Sequence, residues 1–275
     1  MTVPVSAMVF TLNEELHLPS CLSALNWCDD VIVVDSFSTD GTEVLCRQAG
    51  VRFFQNRFTG FGDQRNWALD HCQPKHEWVL ILDADERVTP ELVAELRTRL
   101  AAAHSQIGAF RIRRRFHMGG RWLRHSSLYP TWVVRLIRRD RGRFANHGHA
   151  ETQEVQGEIA DLDHDLIDEN LKGIEEWFER QNRYSMKDAE YELERERATM
   201  DWPSLVSRDG QRRRAALKQV AARLPFRPTL YFVYSYLLRG GFRDGVDGLV
   251  LCMMKASYQH MVATKKQNLR RGPIE

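Results

Sequence analysis

The chain has 275 residues, 43% apolar and 28% charged, with a net charge of only +2. That is enough apolar sequence to bury a full core, so one domain plus an extension is expected rather than a disordered chain. Five scattered cysteines (Cys21, Cys28, Cys46, Cys72 and Cys252) show no metal spacing, and their odd number argues against a disulfide framework. The amino terminus enters a strand with no basic segment or cleavage site, so a cytoplasmic protein is expected.

Val3 to Thr11 reads as an apolar strand running into Asn13, Glu14 and Glu15. A helical stretch follows with Leu16, Leu18, Cys21, Leu22 and Leu25, and then a strand, Val31 to Val34, runs into Asp35, Ser36, Ser38, Asp40 and Gly41. Asp40 beside Gly41 favours a turn or cap. After a second helix with Val44, Leu45 and Ala49, Gly60 and Gly62 loosen a loop before a helix that begins near Asp63. Arg65 then falls in the first turn, where a helix already favours anions and a guanidinium adds a contact to a diphosphate. Trp78 to Leu82 is an apolar run too short for a solitary core helix, hence a strand buried on both faces, and it stops at Asp83 and Asp85. Two aspartates at a parallel strand's carboxyl end can hold a hard divalent cation against a diphosphate. The competing reading is a turn that caps the helix opened by Thr89, Pro90 and Glu91. Three strands ending in polar clusters, alternating with helices, predict βαβ units around a nucleotide pocket.

From Arg111 to Arg143 there are eleven arginines and one acid, Asp140. Such a segment suits phosphates, acidic sugars or anionic headgroups, or is simply a solvated basic face. Nucleic acid is not expected, because no recognised module is present and the acidic strand ends repel phosphate. Trp132 to Ile137 reads as a strand, followed by NHGHAETQ and DLDHDL. Glu169 to Arg197 has the stripe of a long helix, and a basic helix is predicted over Arg212 to Arg223. The later apolar runs, Leu230 to Leu238 and Leu249 to Met254, are well short of the ~20 residues that span a bilayer. With Trp202, Tyr231, Phe232, Tyr234, Tyr236 and flanking basic residues they fit a membrane-surface element, or packing against protein.

AMVFTLNEE, VIVVDSFSTDGT, FTGFGDQRNWAL and WVLILDADERV occur in this order between Ala7 and Val88. Together they resemble the family 2 glycosyltransferases of the GT-A fold, in the branch that includes lipopolysaccharide core glucosyltransferases. The resemblance implies an α/β fold with a mostly parallel, Rossmann-like sheet flanked by helices over residues 1–165, and a helical, basic and aromatic extension over 166–275. It implies inverting, Mg²⁺- or Mn²⁺-dependent transfer of a hexose from a nucleotide diphosphate sugar, UDP by preference. The acceptor is expected to be a lipopolysaccharide core or lipid-linked glycan at the inner face of the cytoplasmic membrane. Thr11, Asn13 and Glu14 are implied on the base and ribose side, and Asp35 as an acceptor from a uracil imide, although Ser36 stands where many relatives have a second aspartate. Asp83 is expected at the ribose or the metal's water shell, Asp85 as the direct metal ligand and His164 as a further ligand. Glu151 or His149 is the expected base, with Ala150 separating a pair that is adjacent in many relatives. Alternatives are a polyprenyl-phosphate sugar synthase and a non-catalytic nucleotide-sugar or glycan-binding module.

Overall fold

The computed structural model describes residues 3–147, 150–196, 202–207, 213, 216–217, 219–220, 223–224 and 226–271. They divide into two compact units, one running to Asn146 and from Ala150 to Gly173, the other essentially from Ile174 onward.

The first unit contains β1 (Val5–Thr11), α1 (Leu18–Ser23), β2 (Val31–Asp35), α2 (Thr42–Gln48), β3 (Arg52–Gln55), α3 (Phe61–His71) and β4 (Trp78–Asp83). It continues through β5 (Glu86–Val88), α4 (Pro90–Ala101), β6 (Ile107–Met118), β7 (Arg121–Trp122), β8 (Thr131–Arg138), β9 (Gly142–His147), β10 (Ala150–Val155) and β11 (Glu158–Glu169). The α/β class expected from the strand and helix alternation is the one observed. Strand order in the main sheet is β3-β2-β1-β4-β8-β6-β11-β5, with β7 on β6, while β9 and β10 form a separate ribbon. The run β3 to β4 is parallel throughout, β8 is antiparallel to β4 and β6, and β6 and β11 are parallel.

The apolar run of β4 explains its central position. Alternate side chains point to opposite faces, so Trp78, Leu80 and Leu82 join Val5, Leu18, Leu92 and Phe110 on one side. Val79 and Ile81 join Met8, Ile32, Ala68 and Ile137 on the other. Each fully buried side chain of this size contributes about 1.5–3 kcal/mol. Helix α4 starts where the sequence places it, with Thr89 capping: its hydroxyl accepts from the Leu92 amide at 3.2 Å, and Pro90 follows.

The arginine-rich segment corrects an expectation. Strands β6 and β11 pair in parallel, opposing Arg111 to Asp161 and Arg113 to Asp165. Arg111 forks onto Asp161 at 2.7 and 2.8 Å, and Arg113 and Arg115 share Asp165 at 2.8 and 2.5 Å. Arg114 meets Asp168, Arg138 meets Glu77 and Arg143 meets Asp70. Much of the supposed anion-binding patch is therefore neutralised within the sheet, by acids some fifty residues away in sequence such as Asp161 and Asp165.

The second unit holds α5 (Gly173–Glu196), a 3₁₀ turn (Pro203–Val206), α6 (Arg227–Phe232) running into a π turn (Val233–Leu238), a 3₁₀ turn (Gly241–Asp244) and α7 (Gly245–Arg271). Helix α5 starts at Gly173 rather than Glu169 because β11 runs through Glu169 and a short connection follows it. Half of the predicted helix Arg212 to Arg223 lies outside the described residues. Arg227 and Lys266 clasp Glu192, and Lys266 and Arg270 clasp Glu196, tying α5 to α6 and α7. No described helix is long and apolar enough to cross a membrane.

Candidate active site

Strands β1 and β2 end side by side, with Thr11 opposite Asp35. Asp35 is fully buried; its carboxylate accepts from Thr11 Oγ1 at 2.9 Å, the Ser38 amide at 2.8 Å, the Ser38 hydroxyl and Gln55 Nε2 at 3.2 Å. Asn13 adopts a left-handed backbone (φ 57°), which lets its amide donate to Ser38 Oγ while its side-chain oxygen accepts from the Thr39 amide, both at 2.7 Å. The Glu14 carboxylate takes His17 at 2.5 Å and Lys172 at 2.6 Å. Asp40 accepts from the Thr42 amide two residues on at 3.0 Å and from the Glu15 amide at 3.1 Å, as a turn and cap residue does. Thr11, Asn13, Glu14 and Asp35 thus come together around two laced loops. The Asp35 oxygens face protein donors, which fix the loop.

The end of β4 is built differently. Helix α3 presses its start against β9: a Cβ on Gly62 would lie 3.1 Å from the Asn146 backbone nitrogen, and the Gly62 amide donates to Asn146 Oδ1 at 2.9 Å. Asn66 exchanges two hydrogen bonds with the Phe144 backbone, which locks the helix there. Arg65, 3% exposed, is thereby turned among Phe10, Phe61 and Phe144, its guanidinium 5.4–5.8 Å from their ring centres. Burial lowers its pKa to about 10, against the opposing pull of Asp83. Its Nη2 meets Asp83 Oδ1 at 2.9 Å.

Arg135 of β8, also buried, takes Asp83 Oδ2 at 2.6 Å and Glu86 Oε1 at 2.8 Å. Glu86 accepts the Asp83 amide at 3.1 Å through its other oxygen, and Arg114 approaches it at 3.7 Å. Burial pushes the Asp83 acid up, but Arg135 and Arg65 outweigh it and hold its pKa at about 2.

Asp85 has the opposite fate. Among the described residues no hydrogen-bond donor or cation pairs with its half-buried carboxylate. Burial, then Asp168, Asp83, Glu86 and Glu14, push its pKa well above the ordinary carboxylate value. Asp168 reaches this place because β5 pairs with β11, setting Asp168 opposite Glu86. Around the strand end Arg65, Arg114 and Arg135 face Asp83, Asp85, Glu86, Glu151 and Asp168, an excess of two negative charges once every acid is ionised, and that excess is what disfavours ionising Asp85.

Glu151, on β10, lies between Arg65 and Arg135, in an ion pair with the first and 3.9 Å from the second. His149 lies outside the described residues. His164 is not brought to Asp83 and Asp85: its Nδ1 sits 2.9 Å from Glu95 of α4, whose carboxylate also caps the Asp163 and His164 amides. No three His, Cys, Asp or Glu side chains gather as a metal cage among the described residues. Sequence reading missed Glu86, Arg135 and Asp168 as site residues. The available signal was complementarity between the arginines of β6 and the spaced aspartates of DLDHDLIDE, which suits paired strands.

A family model described as "Glycosyl transferase family 2" matches residues 6–159. The lipopolysaccharide core biosynthesis glycosyltransferase LpsC of Rhizobium meliloti is 30% identical over 96% of this chain and 92% of its own length. An uncharacterized glycosyltransferase of Rickettsia bellii is 34% identical over 35% of this chain and 32% of its own. S. aureus TarS 1-349, solved in complex with UDP-GlcNAc, aligns with 99% of this chain and 92% of its own at 19% identity and a TM-score of 0.44. With a match over more than half its length and a relative similar from end to end, the chain belongs to glycosyl transferase family 2 and is a glycosyltransferase.

Proposed function

We propose that this glycosyltransferase moves a hexose, glucose by preference, from UDP to a lipopolysaccharide core or lipid-linked surface glycan, with inversion at the sugar carbon. The observation that carries this reading is Asp85: an uncompensated carboxylate at a strand end, beside arginines, in a net acidic site. The end-to-end similarity to LpsC supports the acceptor class.

The donor set fits Mg²⁺ or Mn²⁺. Asp85 supplies a hard oxygen with no competing partner among the described residues, and the charge excess of the ionised acids matches one divalent ion. Asp83 has both oxygens committed to arginines, so Asp85 would hold the metal, with Asp168 alongside. Bound there, a divalent ion neutralises charge on the departing diphosphate. Thr11, Asn13 and Glu14 shape the nucleoside side, Arg65 offers Nε and Nη1 to phosphate oxygens, and Arg135 adds its Nη1 while Nε and Nη2 stay on Glu86 and Asp83. Glu151 accepts the proton of the acceptor hydroxyl as that oxygen attacks the sugar carbon from the face opposite UDP.

The division of labour is a catalytic unit followed by a helical unit that meets the membrane. In the latter Leu237, Leu238, Phe242 and Val246 are exposed next to Arg239 and Arg243, as suits the headgroup boundary on the cytoplasmic side. The test is transfer across a panel of UDP-sugars with Mg²⁺ or Mn²⁺, native against Asp85→Ala. Metal-dependent transfer from one UDP-sugar, lost in the variant, is the expected result; equal activity in both removes Asp85 from the mechanism.

A further inference from the structure

Arg65 and Arg135 each reach in two directions. Arg65 joins Asp83 at 2.9 Å to Glu151, and Arg135 joins Asp83 at 2.6 Å and Glu86 at 2.8 Å to Glu151 at 3.9 Å. All three of Arg65, Arg135 and Glu151 are nearly closed off from water, so these contacts are unscreened. Arg65 Nε is buried without an acceptor among the described residues, so it is a donor still open to an incoming oxygen. A carboxylate held between two guanidiniums is favoured in its charged form by their positive field and is a poorer proton acceptor for it.

We propose that Arg65 and Arg135 are an exchange clamp, for which the donor diphosphate and Glu151 compete, so that donor binding hands Glu151 over to the acceptor hydroxyl. The inference rests on the reading of Glu151 as base. Three features make the exchange cheap. A diphosphate carries more charge than one carboxylate and presents several oxygens to a planar fork. Arg135 keeps Asp83 and Glu86, its nearer partners, when Glu151 leaves. Glu151 sits on the β9–β10 ribbon rather than in the main sheet, so it can shift without breaking a core ladder. Arg65 and Arg135 are then positioning residues that make the base available only alongside a bound donor.

Competition has a thermodynamic signature, because two anions that exclude each other from one cation weaken each other's binding reciprocally. Calorimetric titration with UDP, and separately with inorganic pyrophosphate, on native protein, Glu151→Gln, Arg135→Lys, Arg135→Met and the Glu151→Gln/Arg135→Met pair reads it directly. Glu151→Gln is expected to bind both probes about tenfold more tightly, while Arg135→Met binds them about tenfold more weakly. In the Arg135→Met background the gain from Glu151→Gln is expected to shrink, since one arm of the clamp is gone. Should Arg135→Met not fold, Arg135→Lys, which keeps the charge and loses the fork, is expected to show the same shrinkage in part. Unchanged or weaker probe affinity in Glu151→Gln overturns the clamp, as does an undiminished gain without Arg135, which would mark a diffuse charge effect. Turnover of Glu151→Gln tests the base separately: preserved transfer removes that reading whatever the affinities show.

Discussion

The loops after β1 and β2 and the strand end of β4 share one sheet edge, yet they obey opposite electrostatic rules. In the loops every charged group has a home: Asp35 takes donors from Thr11, Ser38 and Gln55, Asp40 caps its own turn, and Glu14 is held by His17 and Lys172. At the end of β4 the charges do not balance, since three arginines face five carboxylates and Asp85 has no partner among the described residues. Two aspartates one residue apart therefore diverge, Asp83 toward permanent ionisation and Asp85 away from it. The difference separates scaffold from chemistry: a satisfied carboxylate builds a pocket, while an unsatisfied one is stabilised only by what binds there.

The sharpest way to break this comparison is to substitute on both sides and read stability and turnover apart. Arg135→Met leaves Asp83 and Glu86 buried with less compensation and is expected to cost about 3–5 kcal/mol in denaturant unfolding. Asp85→Ala is expected to lower kcat by at least about 100-fold with little loss of stability. Asp35→Ala should do the reverse, costing on the order of 2 kcal/mol of stability by orphaning buried donors. Equal catalytic and stability losses in these two variants would erase the distinction between the regions.

A smaller effect has the opposite sign. Because the folded protein raises the Asp85 pKa, ionising that group at neutral pH opposes folding. Its contribution is fully present below the ordinary carboxylate pKa and is lost as pH rises through the raised value. Asp85→Asn, without metal, is thus expected to gain on the order of 1 kcal/mol at pH 7 and to flatten that decline. Thermal unfolding from pH 4 to 8 checks it. Smallest of all, His164→Ala should leave transfer within about twofold, since its ring belongs to the Glu95 cap of β11.

Much of the parallel half was legible because its signal is local. The apolar runs ending at Thr11, Asp35 and Asp83 locate three strands and the edge where ligands bind, and Thr89-Pro90 marks the start of α4. What could not be read depended on pairing between distant strands. Arg111, Arg113 and Arg115 look like an open basic face until β11 supplies Asp161 and Asp165. His164 looks like a ligand until Glu95 arrives from α4, and Asp168 gains its meaning only when β11 sets it against Glu86. The sequence pattern located the charged residues; tertiary pairing decided which of them were left over.

The central claim is that the surplus charge at Asp85 takes a divalent cation together with the donor diphosphate. Calorimetric binding of UDP with and without Mn²⁺, in native protein and Asp85→Ala, tests it most directly. Mn²⁺ is expected to tighten UDP binding by at least about tenfold in native protein and to do nothing in the variant. UDP affinity indifferent to Mn²⁺, or equally enhanced by it without the Asp85 carboxylate, would rule out a metal held by Asp85.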